Sequence, residues 1–151
     1  MSYLPCELHC HTIHSDGDFT VSELQKAAAD DHLAIIALTD HNTFSGWDEL
    51  DDNIIPAIRG IEWTTYFGHM LVLGANDFVD WRDAQPDNID EKIKQVKAVG
   101  GIVGIAHPYQ LGSPLCTGGR WEFNVRDWRN VDYIEVWHQN LYSAKRENER
   151  A

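Results

Sequence analysis

The segment Ala-Ile-Ile-Ala-Leu-Thr-Asp-His at residues 34–41 is a nearly continuous apolar run that ends in an acidic residue and a histidine. A run without polar alternation is expected of a strand that is buried on both faces, as in a parallel sheet covered by helices. Residues 54–61 and 102–106 are similar runs, and each is followed by a candidate metal ligand, Glu62 and His107. The repetition predicts parallel strands whose carboxyl ends carry polar side chains.

Helical segments alternate with these strands. The capping box Thr20-Val21-Ser22-Glu23 predicts a helix that runs to about His32. Asn88 can cap another helix, from Ile89 to Val99, which Gly100 ends. Such alternation predicts an α/β protein with a parallel sheet or barrel and outer helices. The remaining predicted elements are strands Glu7–Thr12, Met70–Leu73 and Tyr133–Trp137, a short helix Phe44–Leu50 and a charged helix Leu141–Ala151.

Size and charge limit the classes of partner. A chain of 151 residues with 43% hydrophobic residues is expected to form a single domain, residues 1–151. Its 12 basic and 24 acidic residues give a net charge of −12, which repels long polyanions and makes nucleic-acid polymers unsuitable partners. A small anionic substrate remains compatible, because bound divalent ions would set the local charge.

The predicted location is the cytoplasm, without membrane association. Residues 1–7 contain neither a basic region nor a long apolar region of the kind found in signal peptides. No apolar stretch approaches the roughly 20 residues that span a bilayer. The cysteines are odd in number and lack Cys-x-x-Cys spacing, which suits a reducing compartment; they are Cys6, Cys10 and Cys116.

Histidines and carboxylates cluster at the ends of the apolar runs. His9 and His11 lie on the same face of a strand by the two-residue period, so they can chelate one ion. A carboxylate such as Glu62 can bridge two ions that hold a hydroxide between them. Any single histidine of this kind is ordinarily a structural residue, but the set together predicts a multinuclear metal site. Its members at the apolar runs are His9, His11, Asp40, His41, Glu62, His69 and His107, of which only His69 precedes its run. Asp16 follows His11 by five residues.

Four short motifs resemble those of the polymerase and histidinol phosphatase (PHP) domain family, in the order and spacing of that family. Residues 8–12 with 15–17 resemble the first motif, and residues 39–42 resemble the second. Residues 60–62 with 68–69 resemble the third, and residues 106–108 the fourth. The resemblance implies a distorted (β/α)7 TIM-like barrel, and the six predicted strands make that barrel incomplete.

The resemblance also implies up to three divalent metal ions, commonly zinc, manganese or iron, and hydrolysis of phosphate esters by a metal-bound hydroxide. Matched motif by motif, His9, His11 and Glu62 would hold the first ion, and Asp16 and His41 the second. Glu62 would also reach a third ion, held with His69 and His107. The implied catalytic residues are His9, His11, Asp16, His41, Glu62 and His107. Asp40 would orient an imidazole or bind a metal directly, and His14 is an alternative to Asp16.

The family's late Gly-Ser-Asp-x-His motif, which supplies ligands to the first and second ions, does not occur before residue 151. The chain is then a fragment, or other groups take over those positions. We therefore expect tight binding at the third ion and weak occupancy at the second. Residues 106–121 and 134–137 are similar to the CehA/McbA-like metallohydrolase branch, some members of which cleave carbamate esters.

Three alternatives stay open at this point. An amidohydrolase-type barrel also begins with His-x-His, but it needs a bridging lysine, and Lys92, Lys94 and Lys97 fall on a predicted helix. A carbamate or carboxyl ester could replace the phosphate ester. A metal-binding or regulatory domain without turnover is the third alternative. An incomplete barrel would expose a strand edge, so a homo-oligomer is also among the expectations.

Overall fold

The computed structural model describes residues 3–110 and 119–137. The chain divides into two compact units, residues 1–62 and 63–151. Cys116, the predicted helix Leu141–Ala151 and residues 111–118 of the segment that resembles the CehA/McbA-like branch lie outside the described residues. The described part is a mixed α/β structure with six strands and two α-helices, and the (β/α)7 barrel stays a prediction.

The first unit contains a parallel sheet. Its strands are β1 (Cys6–Cys10), β2 (Ile35–Leu38) and β3 (Ala57–Thr65), and β2 pairs in parallel with both neighbours. β3 continues into the second unit. The register of β1 against β2 shifts between Glu7 and Cys10, just before the end of β1. The predicted buried strand at residues 34–39 is confirmed, since Ile36, Ala37 and Leu38 are fully buried.

Helix α1 (Val21–Asp30) joins β1 to β2 and begins where the sequence predicts. The Thr20 hydroxyl accepts a hydrogen bond from the Glu23 backbone N–H, and the Glu23 carboxylate accepts one from the Thr20 backbone N–H. Val21, Gln25 and Ala28 form the buried stripe of the helix. Instead of the predicted helix Phe44–Leu50, the structure has a single 3₁₀ turn, Trp47–Glu49.

The second unit contains β4 (Gly68–Leu73), α2 (Ile89–Ala98), β5 (Ile102–Ile105) and β6 (Tyr133–Ile134), with a 3₁₀ turn, Trp128–Asn130, before β6. β5 pairs in parallel with β6 but antiparallel with β4, so the prediction of a purely parallel sheet is wrong here. Only two residues separate β3 from β4, whereas a parallel crossover needs a dozen or more. The short link therefore reverses the chain direction.

Helix α2 packs on the second sheet through Ile89, Lys92, Ile93 and Val96. It ends before Gly100, whose φ of 82° is the left-handed conformation that glycine adopts without strain. The buried Lys92 ammonium donates to the carbonyl oxygen of Asp80 at 2.9 Å. Among the described residues, no helix has the length and apolar character needed to cross a bilayer.

Candidate metal centre

The ends of β1 and β2 are joined by a pair of hydrogen bonds that fixes the first histidine motif. The Cys10 N–H donates to the Thr39 hydroxyl, and the Thr39 N–H donates to the Cys10 carbonyl, each at 2.9 Å. Cys10 itself is buried, as predicted, and its pKa is raised to about 12 by burial and then by the negative charges of Glu7 and Asp40. His9 and His11, on either side of Cys10, therefore lie on the opposite face of the strand.

Glu62 is the centre of the cluster in the first unit. Its side chain is fully buried, and its Oε2 atom faces three imidazole nitrogens. The distances from Oε2 are 3.2 Å to His9 Nε2, 3.3 Å to His11 Nε2 and 2.8 Å to His41 Nδ1. The backbone holds Glu62 in place, since its N–H donates to the Asp40 carbonyl at 3.3 Å and its carbonyl accepts from Asn42 at 3.0 Å.

Two of these contacts have the spacing of ligand pairs around a cation. Two ligand atoms that each lie 2.0–2.1 Å from a tetrahedral ion are roughly 3.4 Å apart. The contacts of Glu62 with His9 and His11 are close to that separation. A buried carboxylate also needs compensating positive charge, which a divalent ion would provide. Imidazole and carboxylate donors together suit zinc, iron or manganese, so the residues fit the predicted metal.

A second group of donors lies at the more exposed side of the cluster. His11, Asp16 and His41 place one ligand atom each within 4.8 Å of one another. Asp16 lies 3.7 Å from His11 Nδ1 and 3.5 Å from His41 Nε2, and 68% of its side chain is exposed. The rings of His11 and His41 stack with centroids 4.3 Å apart. His11 thus contacts both groups, whereas the sequence motif places it at the first ion alone.

The pKa of His41 is raised above the ordinary value of an imidazole. Burial of the ring lowers this pKa, but the hydrogen bond with Glu62 and the negative charges of Glu62 and Asp16 outweigh burial and the opposing charge of His9. The protonated imidazole is therefore favoured by the same carboxylates that would attract a metal cation.

Asp40 and His14 do not face Glu62. Asp40 accepts hydrogen bonds from Thr12 and Ser15 in the loop after β1. Both ring nitrogens of His14 are occupied, by the Ser45 hydroxyl at 2.8 Å and by Glu49 at 2.9 Å. His14 thus joins the loop after β1 to the segment after β2, and its geometry does not support the alternative in which it replaces Asp16.

The second unit brings His69 and His107 together. Both are buried, and their ring centroids are 5.1 Å apart. The Ala106 N–H donates to the His69 carbonyl at 3.1 Å, which aligns β4 with the end of β5. His107 has φ of 27°, an unfavourable conformation for a residue other than glycine, and its N–H donates to Glu135 Oε2 at 2.9 Å. Sequence reasoning did not identify Glu135, because its only signal was a carboxylate in the last predicted strand.

Residues 7–103 match the model of the PHP domain. The chain belongs to the PHP domain family. The match covers the first three motifs and ends at residue 103, before the fourth motif at residues 106–108, and the expected resemblance to the family is confirmed. The assignment to the CehA/McbA-like branch stays a prediction.

Two uncharacterized proteins of Methanocaldococcus jannaschii are similar in sequence to this PHP domain. MJ1295 is 28% identical over 109 residues, which cover 72% of this chain and 48% of that protein. MJ1587 is 29% identical over 153 residues, which cover 91% of this chain and 85% of that protein. The chain thus spans about half the length of the first relative and most of the second.

Solved structures share the fold at low sequence identity. A two-domain protein of Bacteroides vulgatus, containing a predicted PHP-like metal-dependent phosphoesterase, has a TM-score of 0.68 at 21% identity, with 95% of this chain and 47% of that chain covered. A protein of Bifidobacterium adolescentis described as a putative metal-dependent phosphoesterase has a TM-score of 0.59 at 18% identity. The similarity covers 99% of this chain and 82% of that chain. An amidohydrolase of Chromobacterium violaceum, crystallised with sulfate and without metal, has a TM-score of 0.60 at 18% identity. The similarity covers 96% of this chain and 80% of that chain.

Proposed function

We propose that this PHP domain is a metal-dependent hydrolase that acts on small phosphate esters. The observation that carries the proposal is the single buried carboxylate oxygen of Glu62, which three imidazole nitrogens face at 2.8–3.3 Å. A carboxylate oxygen has two lone pairs, so three imidazole nitrogens are more partners than hydrogen bonding to this oxygen alone would use. Three nitrogen donors around one carboxylate are the arrangement that a cation site needs.

The proposed ligands of the two ions in the first unit differ in their exposure to solvent. His9, His11 and Glu62 are proposed to hold one ion at the buried side, where Glu62 is fully enclosed. Asp16 and His41 are proposed to hold another at the exposed side. His69 and His107 are proposed as ligands of a further ion, on the strength of their motifs and their closeness to each other. Divalent ions at these positions would activate water and polarise the oxygens of a phosphoryl group.

The exposed side is where a substrate would enter. The Asp16 carboxylate is largely open to solvent, while the donors behind it are half-buried or buried. With a net charge of −12, the chain attracts a small anion only where bound cations reverse the local field. A substrate of this kind would therefore depend on the metal for binding as well as for chemistry.

The similar structures support the choice of a phosphate ester. Two of them are described as phosphoesterases, and the Chromobacterium protein was crystallised with sulfate, a tetrahedral oxyanion of the same shape as phosphate. The PHP domain membership supports the metal dependence.

The test begins with protein that has been stripped with a chelator and reloaded with Mn²⁺, Zn²⁺ or Fe²⁺. p-Nitrophenyl phosphate, its bis-ester and a p-nitrophenyl carbamate are offered as substrates. We expect turnover of a phosphate ester that requires metal and is abolished by Glu62→Gln, whereas Glu91→Gln, an exposed carboxylate on α2, retains it. Cleavage of the carbamate alone would overturn the substrate class. Stoichiometric metal without any turnover would favour the regulatory or metal-binding alternative.

A further inference from the structure

Asp40 lies in a closed set of hydrogen bonds beneath the loop that follows β1. The residue is only 2% exposed. Its Oδ1 atom accepts from the Thr12 N–H and from the Ser15 hydroxyl, each at 2.7 Å, and its Oδ2 atom accepts from the Thr12 hydroxyl at 2.8 Å. Because an ionised carboxylate can only accept, the hydroxyl proton of Ser15 must point toward Asp40.

The direction of that proton has a consequence for His11. Ser15 Oγ also lies 3.4 Å from His11 Nδ1. Since the single proton of the Ser15 hydroxyl is already donated to Asp40, its oxygen can only accept from the imidazole. The hydrogen of the neutral ring is then on Nδ1, and the lone pair is on Nε2. His11 Nε2 is the atom that lies 3.3 Å from Glu62 Oε2, where a metal ligand is needed.

We infer that Asp40 and Ser15 are positioning residues that select the tautomer of His11 in which Nε2 is free to bind metal. The chain of contacts runs from the Asp40 carboxylate through the Ser15 hydroxyl to His11 Nδ1. In metal sites the hydrogen bond of one ring nitrogen fixes the tautomer and orientation of the other. The inference rests on the proposed metal site, but the tautomer can be measured without metal.

The same carboxylate also fixes the loop that carries Asp16. The Thr12 carbonyl accepts from the Ser15 and Gly17 N–H groups at 3.0 and 2.9 Å, which forms a tight turn around Asp16. A Cβ atom at Gly17 would lie 2.3 Å from the His11 carbonyl oxygen, so the turn requires glycine. Asp40 therefore supports both the His11 ring and the backbone position of Asp16. Substitution of Ser15 removes the link to His11, whereas the bonds of Thr12 to Asp40 remain.

Ser15→Ala removes the contact with His11 and leaves both contacts between Thr12 and Asp40. Ser15→Thr retains the hydroxyl. His14→Ala serves as the control, because it loosens the same loop through Ser45 and Glu49 without a contact to the Asp40–Ser15 pair. Asp40→Asn is the stronger variant, since an amide cannot accept from all three donors. Thermal unfolding shows which variants remain folded.

The experiment uses metal-free, chelator-treated protein labelled with ¹⁵N-histidine, at a pH where the imidazoles are neutral. Long-range ¹H–¹⁵N spectra report which ring nitrogen of His11 carries hydrogen. We expect the Nδ1–H form in the parent protein, in Ser15→Thr and in His14→Ala, and a shift toward the Nε2–H form in Ser15→Ala. Titration with Mn²⁺ should show about 10- to 100-fold weaker binding for folded Ser15→Ala.

An unchanged Nδ1–H signature in folded Ser15→Ala would overturn the inference. The Nε2–H form in the parent protein would do the same. Failure of the parent protein to hydrolyse any ester would instead count against the proposed function, because the tautomer is read in the absence of metal and substrate. Asp40→Asn is expected to follow Ser15→Ala in the spectra, and Ser15→Ala alone decides the matter if Asp40→Asn does not fold.

Discussion

The Nδ1 atom of His41 lies 2.8 Å from Oε2 of Glu62, at the point where the segment after β2 forms a parallel bridge with β3. This contact is shorter than those of His9 and His11 with the same oxygen. It exists because the parallel register that pairs Leu38 with Arg59 continues three residues further and places His41 beside Glu62. His41 thereby contacts the carboxylate of a residue that is 21 positions away in the sequence.

Replacement of Glu62 by glutamine should remove metal binding rather than the fold. The amide keeps the shape of the side chain but loses the charge that compensates a cation. Loss of a residue that only supports a ligand costs about 10–100-fold in metal affinity, so loss of this shared carboxylate should cost more. Metal content after gel filtration and titration with Mn²⁺ measure the effect. Parent-like affinity in Glu62→Gln would contradict the proposed ligand set.

His14 and Asp16 should behave differently when each is replaced by alanine. His14→Ala loses two side-chain hydrogen bonds on a partly exposed ring, which should lower the free energy of unfolding by about 1–2 kcal/mol. The number of bound metal ions should remain that of the parent protein. Asp16→Ala should instead lower the metal content with little change in stability, because its side chain is exposed. Equal metal loss in both variants would restore His14 as a ligand.

The sequence predicted the histidines that lie around Glu62 in the first unit, and their role as metal ligands stays a prediction. Apolar runs followed by histidine or carboxylate predicted His11, His41 and Glu62 at strand ends, although Glu62 lies within β3, which continues to Thr65. The capping box predicted the start of α1. These features are local, since each depends on residues a few positions apart. The family motifs then assigned a ligand role to Asp16, which no periodicity would have selected.

The reversal of β4 and the set of bonds around Asp40 were not predicted. The reversal had a signal, since the strands predicted at residues 54–61 and 70–73 are separated by eight residues, fewer than a parallel crossover needs, but the helix predicted after them suggested a regular alternation. The bonds from Asp40 to Ser15 had no signal, because the two residues are 25 positions apart and short polar side chains have many alternative partners. Such contacts follow from strand register, which the sequence pattern defines only loosely.

Asp132 should stabilise the second unit in a pH-dependent manner. Burial raises its pKa, but the hydrogen bonds from Lys97 and from the Val103 N–H lower the pKa by more than burial raises it. The net shift is therefore downward. A carboxyl with a lowered folded-state pKa contributes stability above its unfolded pKa of about 4 and loses that contribution as the pH falls through the folded value.

At pH 7, Asp132→Asn should therefore unfold more easily by about 1 kcal/mol, a small value because both partners are partly exposed to solvent. The difference between parent and variant should shrink as the pH is lowered below about 4. Urea unfolding at several pH values measures it, and metal-free protein should be used throughout. A difference that grew at low pH would contradict the downward shift of the Asp132 pKa.

Cys10 should be nearly inert toward thiol reagents in the folded, metal-free protein. A rise in its pKa from 9.0 to about 12 leaves about a thousandfold less thiolate at pH 8, and the thiolate is the reactive form. A variant with Cys6→Ser and Cys116→Ser isolates Cys10, and one with Cys10→Ser and Cys116→Ser isolates the exposed Cys6 as the control. Iodoacetamide should modify the second variant rapidly and the first only after unfolding in urea. Equal rates for the two folded variants would show that β1 does not turn Cys10 inward, and would remove the strand geometry that places His9 and His11 against Glu62.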